Sequence, residues 1–273
     1  MTVAIVTTSS SATAPDETRG AVLISGSYGG EYNAWHALRK GARAVILNDA
    51  GVGKNGAGIA GLAWLEALGV PGATAAVMSC HIGDGAHMLA HGRISHINAA
   101  AAALGCAVGE SVGDCAEKLR QARPYAGTPP AIEGGKRYLI SANPGERRVL
   151  ALDAAPLLTP DDAGAIAITG SHAALFRGRP DGVISVDLFA VFFNDAGIGL
   201  DRAAVSRLAD LDQRGMIAAA VAADSAEIGH ARDAYSTGVI SVVNEAARRS
   251  GIVPGDSLAA VVTRLARLDG KQD

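Results

Sequence analysis

Aromatic residues make up only 4% of the 273 residues, so a core built from this 49% hydrophobic composition must rely on Ala, Val, Ile and Leu. Cysteine is scarce as well. Cys80, Cys106 and Cys115 are an odd number in a chain of this length, which argues against a disulfide framework and reads as three reduced thiols in a cytoplasmic protein. Charge of one sign is missing: the formal net charge is −3, Lys and Arg are scattered, and no basic run offers the electrostatic footprint of a nucleic-acid binder. Long apolar runs are also absent. The longest are of strand length or are broken by Gly, well short of the roughly 20 residues that span a bilayer. The opening residues, Met1 to Val6, lack the basic and apolar regions of a secretory signal. Nucleic acid and membrane are thereby excluded as expected partners.

Glycine, by contrast, is plentiful at 34 residues, and much of it stands in short clusters suited to tight strand-to-helix turns. Some clusters recur. Residues 48–53 read Asn-Asp-Ala-Gly-Val-Gly and residues 194–199 read Asn-Asp-Ala-Gly-Ile-Gly, an offset of 146. That offset also pairs Ser79 with Ser225, Ile82-Gly83 with Ile228-Gly229, Ile94-Ser95 with Ile240-Ser241 and Asn98 with Asn244. Earlier in each half, Ser25-Gly26-Ser27 matches Thr169-Gly170-Ser171 at an offset of 144, so a short indel separates the blocks. One period this long describes a duplicated domain and not a solenoid array.

The expected architecture is α/β: two homologous Rossmann-like halves, each a mainly parallel sheet, related by pseudo-twofold internal duplication. Apolar runs at 22–24, 43–47 and 73–78 read as strands, with helical spacing over 31–40, 59–68 and 99–104. The second half repeats this plan with strands at 165–168, 189–193 and 217–222 and helices at 203–214, 244–249 and 257–268. Buried strands alternating with helices imply a sheet covered on both faces. Residues 1–123 form the first repeat, 124–147 a Pro- and Gly-rich linker and 148–273 the second repeat. Extended pieces are expected at 3–6, 138–141 and 148–152.

Ligands of parallel sheets gather beyond the carboxyl ends of the strands, where the matched polar blocks fall. Asp49 and Asp195 are the expected acid–base residues, because each is a carboxylate close behind a buried strand. The competing reading is local, since Asn and Asp beside Gly also close Asx-turns. Ser27 and Ser171 stand at the end of the first strand of each half and join the catalytic candidates. Gly26, Tyr28, Gly29 and Gly30 would form a turn that exposes backbone N–H groups to an anion. Asn48, Asn194, His172, Ser79 and Ser225 complete the expected substrate-binding set. Neither Gly26-Ser27-Tyr28-Gly29-Gly30 nor Gly51-Val52-Gly53-Lys54-Asn55 has the spacing of a nucleotide-binding loop.

After the third strand, His81-Ile82-Gly83-Asp84 matches Glu227-Ile228-Gly229-His230, with imidazole and carboxylate exchanged. Brought together, His81, Asp84, Glu227 and His230 would suit a divalent metal, the one cofactor the pattern suggests; surface caps and salt links are the plainer reading. His87 and His91 share a helix face at a spacing of four. Cys80, beside His81, is a nucleophile only if its thiol is acidified, and its counterpart is Ala226. The expectation is therefore an enzyme, a homo-oligomer, acting on a small polar or anionic metabolite in the cleft between repeats. Hydrolysis of an amide or ester bond comes first. An isomerase or racemase with opposed acid–base groups, or a non-catalytic small-ligand-binding protein, is the alternative.

Overall fold

The computed structural model describes residues 2–132, 134–180 and 182–268. The first sheet consists of β1 (Ile5–Thr8), β2 (Val22–Tyr28), β3 (Ala44–Asn48), β4 (Gly72–Ala75) and β5 (Ile94–Ile97), in that spatial order. Strands β1 to β4 are parallel and β5 is antiparallel to β4. The helices of this half are α1 (Glu31–Arg39), α2 (Gly61–Ala67), α3 (Gly85–His91), α4 (Ala99–Ala102) and α5 (Val112–Leu119).

Strand periodicity of two decides which face each side chain serves. Leu23, Val45 and Leu47 pack with Ala34, Ala37, Leu38 and Leu65 of α1 and α2. Their neighbours Val22, Ile24, Ala44 and Ile46 pack with Met88, Val112, Cys115 and Leu119 on the opposite face. Both faces are covered, which is why β2 and β3 are almost wholly buried.

The second sheet runs β6 (Arg137–Ser141), β7 (Val149–Leu152), β8 (Ile166–His172), β9 (Ala190–Asn194), β10 (Ile217–Val221) and β11 (Ile240–Val243). Strands β7 to β10 are parallel, and β6 and β11 are antiparallel edges. Four helices serve it: α6 (Arg207–Gln213), α7 (Ala231–Thr237), α8 (Glu245–Arg249) and α9 (Leu258–Ala266). The fold is therefore α/β with two mixed, mostly parallel sheets. The run expected at 73–78 ends as a strand at Ala75. A short antiparallel strand follows α3 and α7 in their respective halves, and the extended piece expected at 138–141 is β6, which belongs to the second sheet. No helix among the described residues is long and apolar enough to cross a membrane.

Strands lie in sequential order, so neither half has the reversal of strand order at which doubly wound sheets open a crevice. The two halves instead meet through their Asn-Asp-Ala-Gly loops. Residues 50–53 all have positive φ, including Ala50 at 48° and Val52 at 64°. Residues 196–199 do the same, with Ala196 at 46° and Ile198 at 64°. A side chain pays for this conformation unless its surroundings impose it. Asp49 imposes it: its Oδ1 accepts the N–H groups of Gly51 (3.0 Å) and Val77 (2.9 Å). Asp195 Oδ1 accepts from Gly197 (2.9 Å) and Ala223 (3.0 Å). The loops touch back to back, since a Cβ on Gly51 would lie 3.1 Å from the Gly197 Cα. Backbone bonds cross the junction from Lys54 N to Ala223 O (2.8 Å) and from Leu200 N to Val77 O (3.0 Å).

Replacing Asp49 by Ala strands two backbone donors, and is expected to cost about 2–4 kcal/mol in urea unfolding; an unchanged unfolding curve would contradict the role given to this carboxylate. A second prediction concerns β6. Arg137 reaches the buried Asp162 with both nitrogens, at 2.6 and 2.5 Å. That bidentate hydrogen bond outweighs burial and holds the Asp162 carboxyl down at about 2. A carboxyl depressed in the folded state stabilises fully above its unfolded value of about 4, and the contribution disappears as pH falls toward 2. The stability gap between wild type and Asp162→Asn should therefore narrow between pH 4 and pH 2; a constant gap would dismiss the ion pair as its source.

Candidate functional site

A cleft of about 630 Å³ opens between the halves. The first half supplies Tyr28, Glu31, Tyr32 and Asn55, and the second supplies Asp153, Glu227, Gly229, His230, Arg232 and Asp233. Gly134, Gly135, Lys136 and Tyr138, from the connecting segment and β6, close one side. Behind the cleft lies an inner chamber of about 100 Å³, lined among others by Ser27, His36, Ser171, His172 and Arg207. Tyr28, Tyr32 and Asp153 form walls of both spaces.

The bulges that end β2 and β8 create the inner chamber. Regular pairing with the next strand breaks after Ile24 and resumes at Tyr28 opposite Asn48; it breaks after Ile168 and resumes at His172 opposite Asn194. The bulges aim Ser27-Tyr28 and Ser171-His172 at the space between the halves. The hydroxyl of Ser27 accepts the Ser11 N–H at 3.0 Å, and that of Ser171 accepts the Ala155 N–H at 2.9 Å. Each hydroxyl keeps a hydrogen to donate. His172 Nδ1 accepts the Ala174 N–H at 3.2 Å. Burial, reinforced by Asp153 and Tyr32, pushes the Tyr28 phenol well above its ordinary range, so it stays protonated. Its oxygen fits only because residue 229 is Gly: a Cβ there would lie 2.3 Å away. The Tyr28 and serine hydroxyls are thus donors set in a largely apolar lining that includes Ala12, Pro156, Ala174, Phe176 and Val183.

The outer cleft has the opposite character. Glu31, Asp153, Glu227 and Asp233 face Lys136 and Arg232 across it. Asp233 is bonded to Lys54 at 2.7 Å, and Glu227 accepts from Asn55 at 2.5 Å. The guanidinium of Arg232 lies 4.3 Å from the Tyr138 ring. Asp153 accepts the N–H of Lys136 at 3.0 Å and of Ala231 at 3.2 Å, which fixes it at the throat between the two spaces.

The expected site residues divide sharply. Ser27, Tyr28, Ser171 and His172 come together in the inner chamber, and Gly30 lies on the cleft wall. Gly26 and Gly29 do not form an anion turn. A Cβ on Gly26 would meet the Asp84 nitrogen at 2.4 Å, and one on Gly29 the Gly58 oxygen at 2.5 Å, so both are packing glycines. Asp49 and Asp195 line neither space; they hold the junction loops. Asn48 and Asn194 cap the same loops through Ala50 N and Ala196 N. Ser79 and Ser225 tie turns, accepting from Arg93 N and Val239 N. Cys80 is buried, and burial raises its thiol to about 11, which makes it inert as a nucleophile.

The expected metal set is not gathered. His81 pairs with Asp201 at 2.9 Å, and Asp84 caps α3 through the N–H groups of Ala86 and His87. Glu227 and His230 face the cleft, 3.9 Å from each other. Asp153, Glu31, Tyr32 and Arg232 belong to the site without having been expected. Each is a lone residue outside any repeated block, and only the closeness of Tyr32 to Tyr28 in sequence hinted at one of them. No family model, curated protein or solved structure matches this chain.

Proposed function

We propose that the protein is an enzyme that binds a small metabolite carrying both a basic and an acyl group in the interlobe cleft, and hydrolyses an amide or ester bond in it. The observation that supports this reading is that the Tyr28, Ser27 and Ser171 hydroxyls line a small chamber that shares Tyr28, Tyr32 and Asp153 with a carboxylate-rich cleft. An acyl oxygen in the inner chamber would meet the Tyr28 and serine hydroxyls, donors of the kind that stabilise a developing oxyanion. The amine end would lie beside Glu31 and Glu227, since Asp233 already holds Lys54. Asp153, at the throat, is the carboxylate placed to take a proton from an attacking water, with that proton passing on to the leaving group. Asp49 and Asp195 have no part in this scheme, since they face the junction. The racemase alternative would need two opposed bases, and Tyr28, held protonated by burial, is not one of them.

Non-catalytic binding is the second reading. It is favoured by one observation: both oxygens of Asp153 already accept a backbone N–H. The equivalent hydrogen bonds at Asp49 and Asp195, at Asn48 and Asn194 and at Ser79 and Ser225 support the further proposal that the halves arose by internal duplication.

A panel of small amino-acid amides and esters, screened by thermal shift and then by hydrolysis, tests the assignment. Tyr28→Phe should lower kcat/KM by about 100-fold or more with little loss of thermal midpoint, and Asp153→Asn should lower it as much while also losing one backbone hydrogen bond and some thermal stability. Stabilisation by ligand with no turnover would favour the binding reading, and turnover untouched by either substitution would refute the site.

A further inference from the structure

At the offset of 146, the cluster around Lys54 has a counterpart in the other half. Lys54 Nζ lies 2.7 and 3.0 Å from the two Asp233 oxygens and 3.0 Å from Thr237 Oγ1, while Asn55 bonds Glu227 across the junction. The corresponding residues are Leu200, His87, His91, Asp201 and His81. The local framework is shared. The Glu227 N–H donates to Asp233 Oδ2 at 2.8 Å, and the His81 N–H donates to His87 Nδ1 at 3.2 Å. Asp201 reaches His81 Nε2 at 2.9 Å, as Asn55 reaches Glu227. One half thus holds an ammonium among oxygens. The other has lost the lysine to Leu200 and replaced the oxygens with three imidazoles.

We propose that His81, His87, His91 and Asp201 bind a divalent transition metal, with Zn²⁺ the best fit, and that the ion clips the two halves together. Three imidazoles and a carboxylate are a complete tetrahedral donor set for such an ion. The residues are already neighbours: the His81 and His87 rings stack at 3.8 Å, and His87 and His91 lie 4.5 Å apart. His87 Nδ1 is occupied by the His81 N–H, leaving Nε2 to face the ion. In the structure the stacked rings do not yet converge on one point, so ligation requires the His81 and His91 side chains to rotate; His81 and His87 are half-buried, and His91 and Asp201 are exposed. None of the four lines the cleft or the inner chamber, so the site is independent of the proposed chemistry.

A rival cluster exists. Cys106, Glu110 and Cys115 have ligand atoms within 4.8 Å of one another. There Glu110 is already paired with Lys118, both thiols belong to the hydrophobic core, and burial raises them. Their counterparts Ile252 and Val261 are core residues of the second half. Packing accounts for these cysteines.

Untagged full-length protein, stripped with chelator, should bind one equivalent of Zn²⁺ by calorimetry. Co²⁺ in the same site should give visible bands without a near-ultraviolet thiolate charge-transfer band. His87→Gln and His91→Gln should each weaken Zn²⁺ by about tenfold or more, given that even residues beyond the ligands shift metal affinity by that much. A Cys106→Ser, Cys115→Ser double variant should bind as wild type. Absence of stoichiometric binding, a thiolate band, or affinity unaffected by both histidine variants would overturn the proposal.

Discussion

Two buried carboxylates, Asp49 and Asp195, make the junction between the halves possible. Each gathers one backbone N–H from its own loop and one from the turn after the neighbouring strand, and the loop holds four consecutive residues at positive φ. Two of the four in each loop are not Gly, and one of those is β-branched. Left-handed conformations of this kind cost of order 1–3 kcal/mol per residue and persist only where the surroundings dictate them. The reward is geometric. With Gly51 and Gly197 in contact, the backbones approach more closely than side chains would allow, and Lys54 and Leu200 can each bond the other half.

That close contact places the ends of β2 and β8 opposite each other. The bulges at Gly26-Ser27 and Gly170-Ser171 then turn a sheet edge into a chamber wall. Sequentially ordered strands provide no crevice within a half, so the interlobe space is where a ligand site would be formed. Its polarity gradient follows from which half and which segment contributes each wall. Hydroxyls and an imidazole come from the bulges, whereas the carboxylates come from α1, from the end of β7 and from the start of α7. The connecting segment matters more than its composition suggests, because Gly134 and Gly135 pack against the Tyr32 ring and Lys136 holds Asp153.

Much of this was legible in the sequence. The apolar runs of β2, β3, β8 and β9 are buried on both faces and stand out, and the Asn-Asp-Ala-Gly blocks mark the places where the halves meet. The antiparallel strands β5 and β11 were not legible. Each is four residues long with only its first residue buried, too short and too mixed to show a period. The repeated Asp49 and Asp195 fit two readings, because a carboxylate between a buried strand and a glycine is written identically whether it binds a substrate or a backbone turn; in the structure both bind turns. Ser27 and Tyr28 are marked by their place at a strand end, whereas Asp153 follows β7 with no motif around it. A site assembled from both halves and the segment between them leaves only partial traces in any one stretch of chain.

Hydrogen exchange, followed with and without the first small molecule that raises the thermal midpoint, tests most directly whether the interlobe space is the functional centre. Ligand should protect amides around residues 27–32 and residues 227–233 together, although some 200 residues separate them in the chain. Protection confined to one half, or lying away from both segments, would contradict the account.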